Sequence, residues 1–299
     1  MSLYALTGAL EQGLVYGLMV LGVYITFRIL DFPDLTVDGS LPLGAAVSAV
    51  AIGHGINPWF SLLLAMGAGF AAGTVTALLN TKLKILHLLA SILTMIALYS
   101  INIRIMKGPN VSLLGNGTIV DPLILAGVPG LVAAPLLFGA ISLAIVAGLI
   151  WFLSTQLGQA MLATGDNPQM ITSQGVNTHN IIIIGVGLSN ALVALCGAMV
   201  AQNQGAADVN MGVGTIIAGL ASVIVGETVF GNRSIARACF SALFGSVLYR
   251  LAIALALGLK LGRFSVTPSD LNLITAVLVV IALVAPRIKA SAKAGFARR

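Results

Sequence analysis

Three carboxylates in eight residues, Asp31, Asp34 and Asp38, form the densest acidic cluster in the sequence. They lie in Asp-Phe-Pro-Asp-Leu-Thr-Val-Asp-Gly-Ser (31–40), between two strongly apolar segments. A metal site or a proton relay would need more ligands nearby, and no His is close in sequence. Two readings stay open. The Asp and Ser side chains cap the helix that follows. Alternatively, the segment is a broken helix start facing a translocation path, where exposed backbone groups line water or protein. On the second reading Asp34, Thr36, Asp38 and Ser40 are the path-lining candidates.

Two further places break the apolar pattern. Ser91 and Thr94, with Ser100, Asn102 and His87, punctuate the fourth apolar segment. Small hydroxyl residues in membrane helices commonly bond their own backbone or pack against a neighbour. Glu227 sits in Val-Gly-Glu-Thr-Val, and Tyr249-Arg250 lies deep in the eighth segment. A charge at such depth is costly unless it is paired, wet or snorkelling, so Arg250 is a candidate cavity residue.

Composition dictates what must position these groups. Of 299 residues, 58% are hydrophobic and 8% charged. Soluble domains carry about 25% charged residues, so the expectation is an all-α, polytopic membrane protein. Residues 1–299 read as one transmembrane domain. Nine apolar segments approach bilayer length: 8–30, 36–54, 58–80, 86–104, 131–155, 179–201, 213–229, 235–258 and 268–286. The second and seventh are short or broken, and 105–130 could add a crossing or a re-entrant piece, giving about eight to ten spans. Gly69-Phe-Ala-Ala-Gly73 and Gly185-Val-Gly187 suit close helix contacts. Cys196 and Cys239 both fall in apolar segments and read as small core residues, without a disulfide or metal role. No Lys or Arg precedes Arg28, so no signal peptide is expected at the amino end.

Basic residues suggest an orientation. With the carboxyl end in the cytoplasm, Arg28, Lys82, Lys84, Arg233, Arg237 and the basic tail 287–299 share the cytoplasmic side. Arg104, Lys107, Lys260 and Arg263 face outward. The tail suits anionic membrane lipid, with no nucleic-acid partner implied.

The same orientation puts the longest polar run, Gly158–Asn177, in the cytoplasm, within a loop at about 156–178. That run holds no Lys or Arg, and Asp166 is its one charge. Gly165, Asp166, Asn167 and Pro168 predict a turn and a helix start, with Asn167 as cap and Pro168 in the first turn. About eight helical residues follow, and Gly175 ends them. A solvated loop and a handle for a soluble partner are both consistent with these residues.

Missing motifs narrow the classes. There is no Gly-x-x-x-x-Gly-Lys-Ser/Thr, so the chain has no phosphate-binding loop of its own. His-Glu-x-x-His, Gly-x-Ser-x-Gly and Cys-x-x-Cys are absent too, and no nucleophile–base set stands out. An enzyme is not expected.

Several stretches carry a resemblance. Residues 158–181, 215–234, 34–49 and 80–98 together resemble the permease subunits of bacterial ABC importers of the branched-chain amino acid and ribose type. Gln159 stands where that family usually has Arg, and Glu227 and Asn232 where glycines are common. Phe-Pro-Asp-Leu-Thr-Val-Asp-Gly-Ser with Val-Gly-Glu-Thr-Val-Phe-Gly-Asn-Arg-Ser resembles a narrower subgroup. That subgroup works with periplasmic or lipid-anchored binding proteins for amino acids, often tryptophan or tyrosine.

The resemblance implies a type II importer-like permease in the bacterial inner membrane. It implies a homodimer with two ATPase subunits that bind the ATP and Mg, and no cofactor in this chain. It makes the helix near Thr164–Gln174 a coupling helix. Thr164, Gly165, Asp166, Asn167, Pro168, Gln169 and Gln174, with Arg233, are then the ATPase contacts. Asp34, Thr36, Asp38, Ser40, Ser91, Thr94, Glu227, Tyr249 and Arg250 then line the translocation path, where Arg250 would meet a substrate carboxylate and Asp38 its ammonium. The rival class is a secondary transporter driven by an ion gradient, with the acidic residues as charge carriers.

Overall fold

The computed structural model describes residues 3–258, with 260–261, 264–265 and 280 beyond them. The last expected segment, 268–286, and the basic tail lie outside the described residues.

The element order is α1 (Leu3–Tyr24), α2 (Val37–Gly53), α3 (Pro58–Thr81), α4 (His87–Met106), β1 (Asn110–Ser112), α5 (Asp121–Leu125), α6 (Gly130–Ser154), α7 (Gln156–Asp166), α8 (Pro168–Ser173), α9 (Thr178–Gln204), β2 (Ala206–Asp208), α10 (Thr215–Phe230) and α11 (Ile235–Gly258). Two short strands, Lys260–Leu261 and Phe264–Ser265, pair beyond α11. Among the described residues six helices are long and apolar enough to cross a bilayer, which makes this a multi-pass membrane protein. α2 and α10, with 17 and 16 residues, are shorter. At about 1.5 Å per residue neither reaches the ~30 Å of a hydrocarbon core. Between α4 and α6, residues 107–129 hold only β1 and the five-residue α5, so they add no crossing.

Local chemistry sets the helix ends. Asn57 accepts a hydrogen bond from the Trp59 amide (2.9 Å), and Pro58 starts α3. Asn177 caps α9 by accepting from the amides of His179 and Asn180. Pro42 inside α2 has no N–H, so the Asp38 carbonyl lacks its usual partner four residues on.

α9 is the hub, with α2, α3 and α1 against it. α1 continues the layer to α11, α10 and α6. The α2 and α3 contacts are backbone to backbone. A side chain at Gly44 would run into Ala194, one at Gly197 into Leu41, and one at Gly69 or Gly73 into the backbone at Asn190 or Val186. Without that closeness the polar groups described next would not meet. β1 and β2 pair antiparallel, Val111 opposite Ala207, and close one end of the bundle.

Candidate functional site

The middle of the bundle holds a buried polar knot. Residues 30–36, just before α2, are irregular, and this stretch is buried at Phe32, Asp34 and Thr36. Its groups are answered by side chains. Asp34 Oδ1 accepts from the Thr36 amide (2.9 Å), and Asp34 Oδ2 from Asn190 Nδ2 (2.7 Å). Ser40 donates to Asn190 Oδ1 (2.6 Å), and the Thr36 and Thr76 hydroxyls are 2.9 Å apart. Asn190 Nδ2 also donates to the Val186 carbonyl. Asp34, Thr36 and Ser40 are therefore brought together, with partners on α3 and α9. Asn190 went unnoticed in the sequence. Its signal was an amide in the middle of an apolar 27-residue helix.

Asp38 has a different task. Its Oδ1 accepts from the Ile216 amide (2.9 Å) and the Thr215 hydroxyl (3.0 Å), and its Oδ2 from the Gly214 amide (3.1 Å). A carboxylate thus sits on the N-terminus of α10, where orphan amides and the helix dipole favour negative charge. The cap joins α2 to α10 across 176 residues or more of sequence. Asp38→Ala is expected to lower the thermal midpoint of the detergent-solubilised protein, by the equivalent of about 1–3 kcal/mol. Asp38→Asn should recover part of it, because an amide oxygen still accepts from Ile216 and Thr215. Equal midpoints for all three proteins would remove the cap from the fold's supports.

A cavity of about 340 Å³ lies beside this cap. Asp38, Met95, Tyr99, Asn102 and Val213 are in its wall. Asn102 Nδ2 donates to the Gly39 carbonyl (3.2 Å), while its Oδ1 has no partner among the described residues. Ser91 and Thr94 bond their own helix, at the carbonyls of Leu88 and Ala90.

A second cavity, about 560 Å³, opens between the end of α1 and α10. Here α1 widens into a π turn, Ile25–Ile29, whose ring closes from the Leu30 amide to the Ile25 carbonyl (3.0 Å). The turn carries Arg28, and Arg28 meets Glu227 side-on. Nε donates to Oε1 at 2.9 Å and Nη2 to Oε2 at 2.7 Å. Arg28 entered the sequence reading only as an orientation marker. Arg250 lies elsewhere: its guanidinium sits 3.7 Å from the centroid of the Tyr16 ring, in neither cavity wall. Tyr249 is buried on α11.

The polar run 156–178 folds as an elbow of two helices. α7 runs from Gln156 through Thr164 and Gly165 to Asp166, so Gly165 and Asp166 are helical where the sequence predicts a turn. Gly165 is pressed on the Ile29 carbonyl with no room for a side chain, and Thr164 is buried. These two residues seat the elbow on the end of α1. Asn167 breaks the helix and caps α8, accepting from the Met170 amide at 3.0 Å. Ile171 is the buried anchor of α8, and Gly175 follows at φ +88°. Asp166, Asn167, Pro168, Gln169 and Gln174 face outward, and Arg233 is exposed in the α10–α11 loop. The elbow and the β1–β2 pair lie at opposite ends of α9, about 40 Å apart for 27 residues.

Residues 5–284 match the family described as the branched-chain amino acid transport system permease component. A tyrosine transport system permease protein of Clostridioides difficile (strain R20291) is 41% identical over 289 residues, 95% of this chain and 92% of the relative. The ribose import permease protein RbsC of Escherichia coli (strain K12) is 27% identical over 229 residues, 73% of this chain and 68% of the relative. Among solved structures, PsaBC from Streptococcus pneumoniae in complex with Fab superposes with a TM-score of 0.51 at 17% identity, covering 93% of this chain and 89% of that one. That likeness concerns the fold alone.

Proposed function

Because the chain belongs to the branched-chain amino acid transport permease family, we propose that it is the membrane subunit of an ATP-driven importer of an aromatic amino acid. The elbow carries this reading: a capped, outward-facing polar knuckle wedged against α1, in a chain without a phosphate-binding loop. A separate ATPase would grip Asp166, Asn167, Pro168, Gln169 and Gln174, with Arg233 beside them. Thr164 and Gly165 would transmit the push, since Gly165 bears directly on α1. The transporter pairs two copies of the chain in the bacterial inner membrane and receives its solute from a binding protein on the β1–β2 side. The tyrosine permease relative supports the substrate class.

The cavity beside Asp38 is the stage for the solute. Its walls are mostly apolar, with Tyr99 on one side. Asn102 also lines it, and its buried side-chain oxygen has no partner among the described residues. Asp34, Thr36 and Ser40 hold the wall in shape.

Uptake of labelled L-tyrosine into proteoliposomes tests this. The complete transporter, with its ATPase and binding protein, should accumulate tyrosine with ATP present and all ion gradients collapsed. Accumulation that follows a proton or sodium gradient and ignores ATP would establish a secondary transporter instead.

A further inference from the structure

We propose that the cavity between α1 and α10 is a second binding site, for a zwitterionic amino acid with an apolar or aromatic side chain, at the cytoplasmic mouth. The assignment rests on the import reading for its orientation and on the following geometry for its chemistry. The Arg28–Glu227 pair uses two of the five guanidinium N–H groups. The others make no hydrogen bond among the described residues, and the Arg28 side chain is 53% exposed. Glu227 is held closer in, at 14%. Opposite charges thus stand side by side at the rim of an open pocket, in the arrangement an α-amino acid presents in reverse. The ligand carboxylate meets the unused N–H groups of Arg28, and its ammonium meets the Glu227 carboxylate, closing a ring of alternating charges.

The rest of the wall suits the remainder of such a molecule. Tyr24 and Phe27 come from α1, and Leu220, Val223 and Ile224 from α10. The volume falls in the range of small-molecule sites, about 300–1,000 Å³. Selectivity follows from charge balance. A zwitterion adds one partner to each protein charge. An amine without a carboxylate, or an acid without an amine, must compete with the existing pair and leaves one charge less well matched. α10 therefore has a solute site near each end. Its N-terminus is fixed by Asp38 beside the first cavity. Its last turn is fixed by Arg28 beside the second, about 18 Å further along twelve helical residues. Solute leaving the first cavity toward the cytoplasm would meet Arg28 and Glu227 before bulk water.

Equilibrium binding to the full-length chain in lipid nanodiscs decides the matter, with three probes. L-tyrosine should bind at least about tenfold more tightly than tyramine or 3-(4-hydroxyphenyl)propanoate. Arg28→Gln should weaken tyrosine and the propanoate but spare tyramine; Glu227→Gln should weaken tyrosine and tyramine but spare the propanoate. That crossover is something a merely structural ion pair would not produce. Leu220→Trp fills the cavity without touching the pair and should weaken all three, which keeps the site testable if the charge variants fold poorly. No tyrosine binding by the unmodified chain, equal affinity for the three probes, or unaltered binding by Leu220→Trp would overturn the proposal. ATP-driven uptake by the complete transporter would survive any of those outcomes; its own absence would sink the import reading and with it the cytoplasmic placement, while the binding results would still decide the site.

Discussion

Lysine at both Asp166 and Asn167 is expected to abolish solute-stimulated ATP hydrolysis in the reconstituted transporter. Both residues are exposed at the break between α7 and α8. Asp166 is the one charge in the polar run, and the double change shifts the knuckle from net negative to net positive. A groove shaped for the natural knuckle then faces like or unmatched charge, at a cost of several kcal/mol, which corresponds to a loss of about two orders of magnitude or more. Replacing Asn167 also removes the acceptor for the Met170 amide, worth about 1 kcal/mol to α8. The elbow as a whole should stay in place, because its anchors are Gly165 on Ile29 and the buried Ile171. The measurement is therefore twofold: ATPase stimulation, and the size of the permease in detergent. Loss of stimulation with an unchanged elution volume fits a coupling surface. Normal stimulation by the double variant would leave the elbow without that role.

Replacing Asn190 with leucine should cost the protein its fold. Leucine keeps the branching of asparagine but sets methyl groups where the hydrogen-bonding atoms stood, so crowding adds to the polar loss. Asp34 Oδ2 loses its 2.7 Å donor and Ser40 its 2.6 Å acceptor. Both side chains are fully buried, out of reach of bulk solvent. Each orphaned group costs about 1–3 kcal/mol, more if it carries charge. The damage falls on the irregular stretch before α2, which has no helical hydrogen bonds of its own to fall back on. The thermal midpoint should collapse, and the monodisperse peak on size exclusion should be lost. Exchanging the two partners, Asp34→Asn with Asn190→Asp, keeps an amide facing a carboxylate and should recover part of the stability. A midpoint equal to wild type for Asn190→Leu would mean the knot does not hold the junction.

Much of the architecture was legible because it depends on neighbours along the chain. Low charge and long apolar runs dictate membrane helices, since a bilayer offers backbone groups no partner except their own helix. Asn167 before Pro168 and Gly175 after α8 mark a helix start and stop within a few residues, and the structure has both. Gly69 and Gly73, one turn apart, stand where α3 meets α9. The family resemblance rested on the same local stretches, and residues 5–284 match that family.

The pairing of charges was decided only by the tertiary structure. Asp38 reads as a cap of its own helix or a path-lining group in the sequence, and folding places it on the N-terminus of α10. Arg250 reads as a solute contact, and folding lays it over Tyr16. Arg28 reads as a topology marker, and folding gives it Glu227, 199 residues away. A bilayer-facing helix is apolar on most sides, so its periodicity does not say which face turns inward. The sequence by itself determined which segments enter the membrane and where polar groups interrupt them. Which interruption answers which was settled by glycine-allowed backbone contacts between α2, α3 and α9, and by the meeting of α1 with α10, because a buried polar group must find its partner across whatever distance in sequence the packing dictates.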